Sequence, residues 1–160
     1  MAHSTQIELF LDTVDSPLGL IEVSATATAV VSCSFVEQLR RDVVSNLVVE
    51  LAIRQLEQYL AGDRREFDLP ILLQGTEFQK RVWQQLLAIP FGQTSSYLDI
   101  ATAIGNPKAV RAVGAANGQN PISIIVPCHR VVGSDGSLIG YGGGLWRKEW
   151  LLRHEGSLLL

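Results

Sequence analysis

Only two cysteines, Cys33 and Cys128, occur in the 160 residues, too few for a disulfide framework. The three histidines, His3, His129 and His154, form no CxxC or HxxxH spacing, so no metal site is expected. Cysteine usage of this kind points to a reducing, intracellular compartment. No run of about 18 apolar residues exists, which argues against a membrane span. The opening Met1-Ala2-His3-Ser4-Thr5-Gln6 lacks a basic patch leading into an apolar stretch, so no secretory signal is expected. The charged fraction is low, 18%, against 47% hydrophobic, which excludes disorder and supplies a core. Acidic residues are missing between Asp99 and Asp135, a window that holds Lys108, Arg111 and Arg130. The two halves therefore differ. Residues 1–80 carry 6 Lys and Arg against 12 Asp and Glu, and residues 81–160 carry 7 against 4. A locally positive surface attracts polyanions even on an acidic chain, although three basic residues make a sparse patch.

Patterning suggests an α+β chain in two lobes, 1–75 and 76–160. Ile7–Val14 and Leu18–Val23 read as strands around the turn Asp15-Ser16-Pro17, and Ala25–Phe35 as a further strand or pair. Val43–Leu60 reads as a helix with Leu47, Leu51, Leu56 and Leu60 near the helical period, stopped by Gly62. Asp63–Gly75 mixes charge with Pro70 and Gly75, a plausible boundary. Thr76 and Gln79 form a capping box for a helix presenting Phe78, Val82, Trp83, Leu86 and Leu87. Ser95 or Ser96 caps a helix Tyr97–Ile104. Asn106 caps another, Pro107–Asn117, with Gly118 as a left-handed stop. These two helices form a helix-turn-helix pattern, with Lys108 and Arg111 sharing one face. An ordinary packed helical hairpin would look the same. Ile122–Val126 reads as a buried strand, Gly133–Ile139 as a hairpin, Gly140–Gly144 as a loop, and Trp146–His154 as a helix with Trp150, Leu151 and Leu152 inward.

The chemistry concentrates at Pro127-Cys128-His129-Arg130. A buried cysteine is usually a small hydrophobe, and Cys33 reads that way. Cys128 has positive neighbours, which favour the nucleophilic thiolate, and a histidine that could take its proton. In an extended strand the two side chains would point to opposite faces, so cooperation requires a bend after Val126, or a bridging water. A base histidine also needs an orienting partner. Glu155, Asp135 and Asp99 are candidates, and spacing does not choose among them.

Ile125-Val126-Pro127-Cys128-His129-Arg130-Val131-Val132 resembles the active-site signature of the O6-alkylguanine-DNA alkyltransferases. Phe91–Tyr97, Gly105–Gly114 and Gly143–Leu145, with Lys148–Leu152 leading to Glu155, match that family in order and spacing. The match is strong over about Thr76–Gly156, and the N-terminal lobe carries no signature of its own. The resemblance implies a ribonuclease-H-like α/β N-terminal lobe with antiparallel strands. A mostly helical C-terminal lobe with the helix-turn-helix would follow it. It implies a monomer, with cooperation on DNA left open, that transfers an alkyl group from O6-alkylguanine, and from O4-alkylthymine, to its own Cys128. The transfer is irreversible and occurs once per molecule.

By the same resemblance His129 is the base acting through a water, and Glu155 orients it. Arg111 fills the space of the extruded nucleotide. Tyr97 lies beside the flipped base and supplies a proton to it. Asn120 ties the helix-turn-helix to the active-site strand. Asn106 and Ser134 meet the DNA backbone, while Val131, Tyr141, Gly142 and Gly143 wall the guanine pocket. The charge of Lys108, independently of the resemblance, reads either as a phosphate contact or as a solvated helix charge. Gly142 stands where some relatives carry a serine, and Leu98 replaces a polar residue. Animal members bind zinc through Cys and His in the first lobe. Cys33 alone cannot, so neither zinc nor another cofactor is expected. Two rivals share part of the pattern: a Cys–His hydrolase has no use for Arg111, and a non-catalytic DNA-binding regulator has no use for Cys128.

Overall fold

The computed structural model describes residues 8–40 and 42–158. His3, the N-terminal hexapeptide and Ile7 lie outside the described residues. The chain divides into two compact units, Met1–Leu72 and Leu73–Leu160. Among the described residues no helix is long and apolar enough to cross a membrane.

The first unit is an antiparallel sheet in the order β1-β2-β3 (Phe10–Val14, Leu20–Ala25, Val30–Val36) with helix α1 (Leu47–Leu60). Ser16 closes the first turn, its hydroxyl donating to Gly19 O and accepting from Leu18 N, so β2 begins two residues later than patterning suggests. Val23 faces Cys33 across β2 and β3, and both are buried. Alternation along β2 places Ile21, Val23 and Ala25 in the core.

Helix α1 is shorter than its apolar run. Asn46 caps it, its side chain accepting from Val49 N at 2.9 Å, while Val44 O receives Leu11 N beside β1. Its buried face is Val49, Ala52, Leu56 and Tyr59. Of the four leucines expected inside, only Leu56 is buried, and Leu47 is 83% exposed. Leu47 and Leu51 lie on the opposite side of the helix from Val49 and Leu56, and packing against the sheet selected the valine–alanine side. Gly62 does end the helix region, at φ +84°. Asp63–Pro70 is held to this unit by the buried Gln55 amide, which donates to Asp68 O at 2.9 Å and accepts from Asp68 N at 2.8 Å.

The second unit carries α2 (Glu77–Leu87), α3 (Tyr97–Ala103), α4 (Val110–Gly118) and α5 (Leu145–His154). Both members of the capping box Thr76/Gln79 form, and Ser96 caps α3 reciprocally with Asp99. Trp83 fixes α2 to α4, its indole N–H donating to Ala116 O at 2.8 Å inside the core.

Four local expectations fail here. Asn106 does not cap α4. Its carbonyl accepts from Ala109 N, closing a tight turn with Pro107 second, and α4 starts only at Val110. Lys108 thus sits in the turn, off the helix that carries Arg111. Gly118 is helical rather than a left-handed stop, and Gln119 caps the end. Ile122–Val126 is buried but not a strand. Ile124 has φ +70°, and Asn120 folds the run into a turn by donating to Val126 O and accepting from Ile122 N. A short apolar run reports burial, not extension. Finally, Gly133 N donates to Ser137 O, but Ser137–Ile139 forms no returning strand. Val131–Val132 (β5) pairs in parallel with Ser95–Ser96 (β4) instead.

Candidate active site

Cys128–Arg130 form a single 3-10 turn following the Asn120-closed loop. The chain therefore bends after Val126. In place of alternating faces, the turn puts three consecutive side chains into the interior: Cys128, His129 and Arg130 are all buried.

Glu155, the C-cap residue of α5, is buried beside them. His129 Nε2 lies 2.8 Å from Glu155 Oε2. Arg130 Nε donates to Glu155 Oε1 at 2.8 Å and its Nη2 to Oε2 at 3.0 Å, a two-pronged pairing. Arg130 Nη1 also donates to Ile89 O at 2.6 Å. Neither Asp135 nor Asp99 takes this place. Asp135 accepts from Ser137 N in its own turn, and Asp99 from Ser96 N at the start of α3.

The electrostatics follow from these bonds. Burial pushes the Glu155 carboxyl up, but hydrogen bonds and charge from His129 and Arg130 outweigh it and bring its pKa down to about 2. A carboxylate only accepts, so His129 Nε2 carries its proton toward Glu155 and Nδ1 keeps a lone pair. Nδ1 is buried and meets no partner among the described residues. Burial lowers the His129 pKa, with Glu155 opposing, so the ring favours the neutral, basic form. Burial raises the Cys128 thiol. A hydrogen bond from the Asn120 side chain, the charge of Lys148 and local backbone N–H groups pull the other way.

A cavity of about 300 Å³ is lined by Tyr97, Val110, Gly114, Ile139 and Gly140. Tyr97 opens α3, and its hydroxyl donates to Ile139 O at 2.7 Å. A Cβ on Gly114 would lie 3.9 Å from the Tyr97 ring, so α4 packs closely over that ring. Burial raises the Tyr97 hydroxyl, and the charge of Cys128 adds to the rise.

The remaining expected residues separate into two groups. Val131 is buried next to the 3-10 turn, and Tyr141 and Gly143 are partly buried in the glycine loop. Gly142 approaches α4: a Cβ there would lie 3.4 Å from Gly118 O. Asn106, Lys108, Arg111 and Ser134 are exposed, with Arg111 in the first turn of α4.

Arg130, expected to favour the Cys128 thiolate, is instead paired with Glu155. Two groups escaped the sequence reading. Asn117, buried in the last turn of α4, donates to Cys128 O at 3.3 Å. Lys148 is completely buried in α5. Its signal was present in the sequence: it precedes Leu151 and Leu152 by three and four residues, on the apolar face of the helix.

The chain is similar to known proteins along most of its length. Residues 77–157 match the family model described as 6-O-methylguanine DNA methyltransferase, DNA binding domain, and residues 9–73 match its ribonuclease-like domain. A Mycobacterium tuberculosis protein named methylated-DNA–protein-cysteine methyltransferase is 47% identical over 150 residues, covering 91% of each chain. A Methanosarcina acetivorans protein of the same name is 48% identical, covering 89% of this chain and 96% of its own. The crystal structure of Mycobacterium tuberculosis OGT in complex with DNA superposes with a TM-score of 0.85 at 47% identity, over 92% of this chain and 93% of that one.

Proposed function

This chain belongs to the 6-O-methylguanine DNA methyltransferase family, and from that membership we propose how its residues perform the repair of alkylated DNA. The protein removes the alkyl group from O6-alkylguanine in DNA and keeps it on its own cysteine. The observation that carries the assignment of Cys128 is its burial next to His129, whose Nε2 lies 2.8 Å from the buried Glu155 carboxylate. The reaction takes place inside the cell, on duplex DNA.

The alkyl carbon lies within the stack, so the base must be extruded, at a cost of a few kcal/mol. Arg111, exposed at the start of α4, enters the vacated space. Asn106, Lys108 and Ser134 meet the phosphates. The guanine enters the cavity between Tyr97 and the Gly140–Gly144 loop. His129 Nδ1 takes the Cys128 proton through one water, while Glu155 fixes the ring and stabilises its positive charge. The thiolate sulfur then bonds to the alkyl carbon. The carbon–O6 bond breaks and its electrons pass to the purine, which takes a proton from Tyr97. O4-alkylthymine, with the same carbon–oxygen bond, fits the same displacement. A thioether has no leaving group to restore the thiol, so each molecule acts once.

Incubation with a duplex containing O6-methylguanine tests this directly. Mass spectrometry should find one methyl on the peptide bearing Cys128. Cys128→Ala should abolish transfer and leave duplex binding intact. An unmodified Cys128 peptide at saturating duplex would refute the assignment.

A further inference from the structure

A fully buried lysine is expensive: an ammonium taken from water must recover its solvation from what surrounds it. Lys148 recovers it from the pocket. Its Nζ donates to Ile139 O at 2.9 Å, with Gly140 O at 3.4 Å, and lies 5.8 Å from the centre of the Tyr97 ring. Ile139 O is the carbonyl that Tyr97 Oη also uses. One oxygen of the cavity wall therefore receives both the lysine and the tyrosine.

The charges around Lys148 are few. Helix α5 packs against the 3-10 turn, where the charge of Lys148 acts on Cys128 and His129, and from α3 the Tyr97 ring faces it. Arg130 from the same turn is already bound by Glu155. The Cys128 sulfur is the group whose charge opposes the effect of burial on Lys148. We propose that Lys148 is a positioning residue with two linked tasks: its ammonium is the counter-charge of the Cys128 thiolate, and it anchors the Ile139–Gly140 wall of the base cavity. The mutual electrostatic shifts agree in sign. Lys148 lowers the thiol, burial brings the lysine down to about 8, and Cys128 raises it in opposition.

The linkage has a consequence for the spent protein. Alkylation replaces the thiolate by a neutral thioether. The lysine then loses its counter-charge while remaining buried, and holds its proton, and with it the wall, less firmly. By reciprocity, the factor by which Lys148 favours the thiolate equals the factor by which the thiolate favours the ammonium.

This inference rests on Cys128 being the acceptor, but its test needs no DNA. The rate of Cys128 modification by iodoacetamide is followed against pH. Lys148→Met should move the midpoint upward by about one pH unit, a roughly tenfold loss of thiolate near neutrality, and Lys148→Arg should restore most of it. An unmoved midpoint in a folded Lys148→Met protein overturns the proposal. Should that variant fail to fold, the parent protein decides. The Lys148 side-chain ammonium is titrated by NMR before and after iodoacetamide caps the sulfur. A downward move of its midpoint is expected, and an unchanged midpoint refutes the counter-charge. A parent that accepts no methyl from O6-methylguanine would refute the repair assignment while leaving these titrations interpretable.

Discussion

The first unit keeps charge out of its interior and the second buries it. Among the described residues of Met1–Leu72 the buried polar side chains are Ser24 and Gln55, both neutral. The second unit buries His129, Arg130, Lys148 and Glu155, along with Asn117. Burial of this kind costs stability unless every charge finds a partner. The second unit meets that condition by collecting its partners on one carboxylate and on the carbonyls of the cavity wall. The contrast separates scaffold from chemistry: in the first unit a core side chain supplies only packing, whereas in the second several core side chains also set a proton or a charge.

Replacing Glu155 should break that arrangement most severely. Glu155→Gln leaves Arg130 without its counter-charge and His129 without its orienter. Loss of one partner of a buried pair costs about 3–5 kcal/mol, and loss of a positioned base lowers rates on the order of 10²-fold or more. Chemical denaturation and single-turnover transfer measure the two effects. The pH dependence gives the same comparison from another side. The folded Glu155 pKa, about 2, lies below the ordinary value of 4.5. Its stabilisation is therefore complete above about pH 5 and lost as pH falls from there toward 2. The parent should lose stability through that window, and the Gln variant should lose distinctly less. An identical acid limb in both proteins would show that Glu155 is not held as the structure holds it.

The opposite case is a core residue of the first unit. Leu56 is fully buried in α1. Leu56→Ala should cost about 3 kcal/mol, within the range for truncating a buried leucine. The transfer rate per folded molecule should stay within about twofold of the parent, because Leu56 contributes only packing. A stable, folded variant with strongly slowed transfer would erase the distinction between the two units.

What could be read from the sequence follows the same division. Periodicity and capping chemistry located the strands of the first unit and the starts of α2 and α3, because Thr76, Gln79 and Ser96 act on neighbours three residues away. Local signals misjudged the faces of α1, since Leu47 and Val49 are both apolar and only the sheet decides which turns inward. They misjudged Ile122–Val126 for a related reason. Its turn is imposed by the Asn120 side chain, which competes with the backbone for Val126 O. The proposed nucleophile was singled out by the Pro-Cys-His-Arg order. The choice of Glu155 over Asp99 and Asp135 was not, because it depends on α5 ending beside the 3-10 turn. Lys148 could have been noticed from its place on an apolar helix face, but its carbonyl partners at Ile139 and Gly140 come from a loop with no regular pattern.

Exposure, too, means different things in the two units. Arg111 is exposed in the first turn of α4, yet the proposed function gives it a place in the DNA stack. Arg111→Ala should leave the unfolding midpoint within about 0.5 kcal/mol of the parent. Transfer from a duplex should fall roughly tenfold, about 1.4 kcal/mol of barrier. Transfer from the free base O6-benzylguanine, which needs no extrusion, should be unaffected. Equal slowing on both substrates would place Arg111 in the chemistry and not in extrusion.

Leu47 supplies the matching control. It occupies the first turn of α1 as Arg111 occupies the first turn of α4, and it is 83% exposed. Exposure on the scaffold should carry no function, so Leu47→Gln should shift stability by less than about 0.5 kcal/mol and leave duplex and free-base transfer alike untouched. The neighbouring Asn46 cap bears the local energetic weight instead, since its side chain satisfies Val49 N. A Leu47→Gln protein that bound or repaired duplex DNA less well would mean that this apolar start of α1 belongs to the working surface, and the division between a packing unit and a chemical unit would have to be redrawn through it.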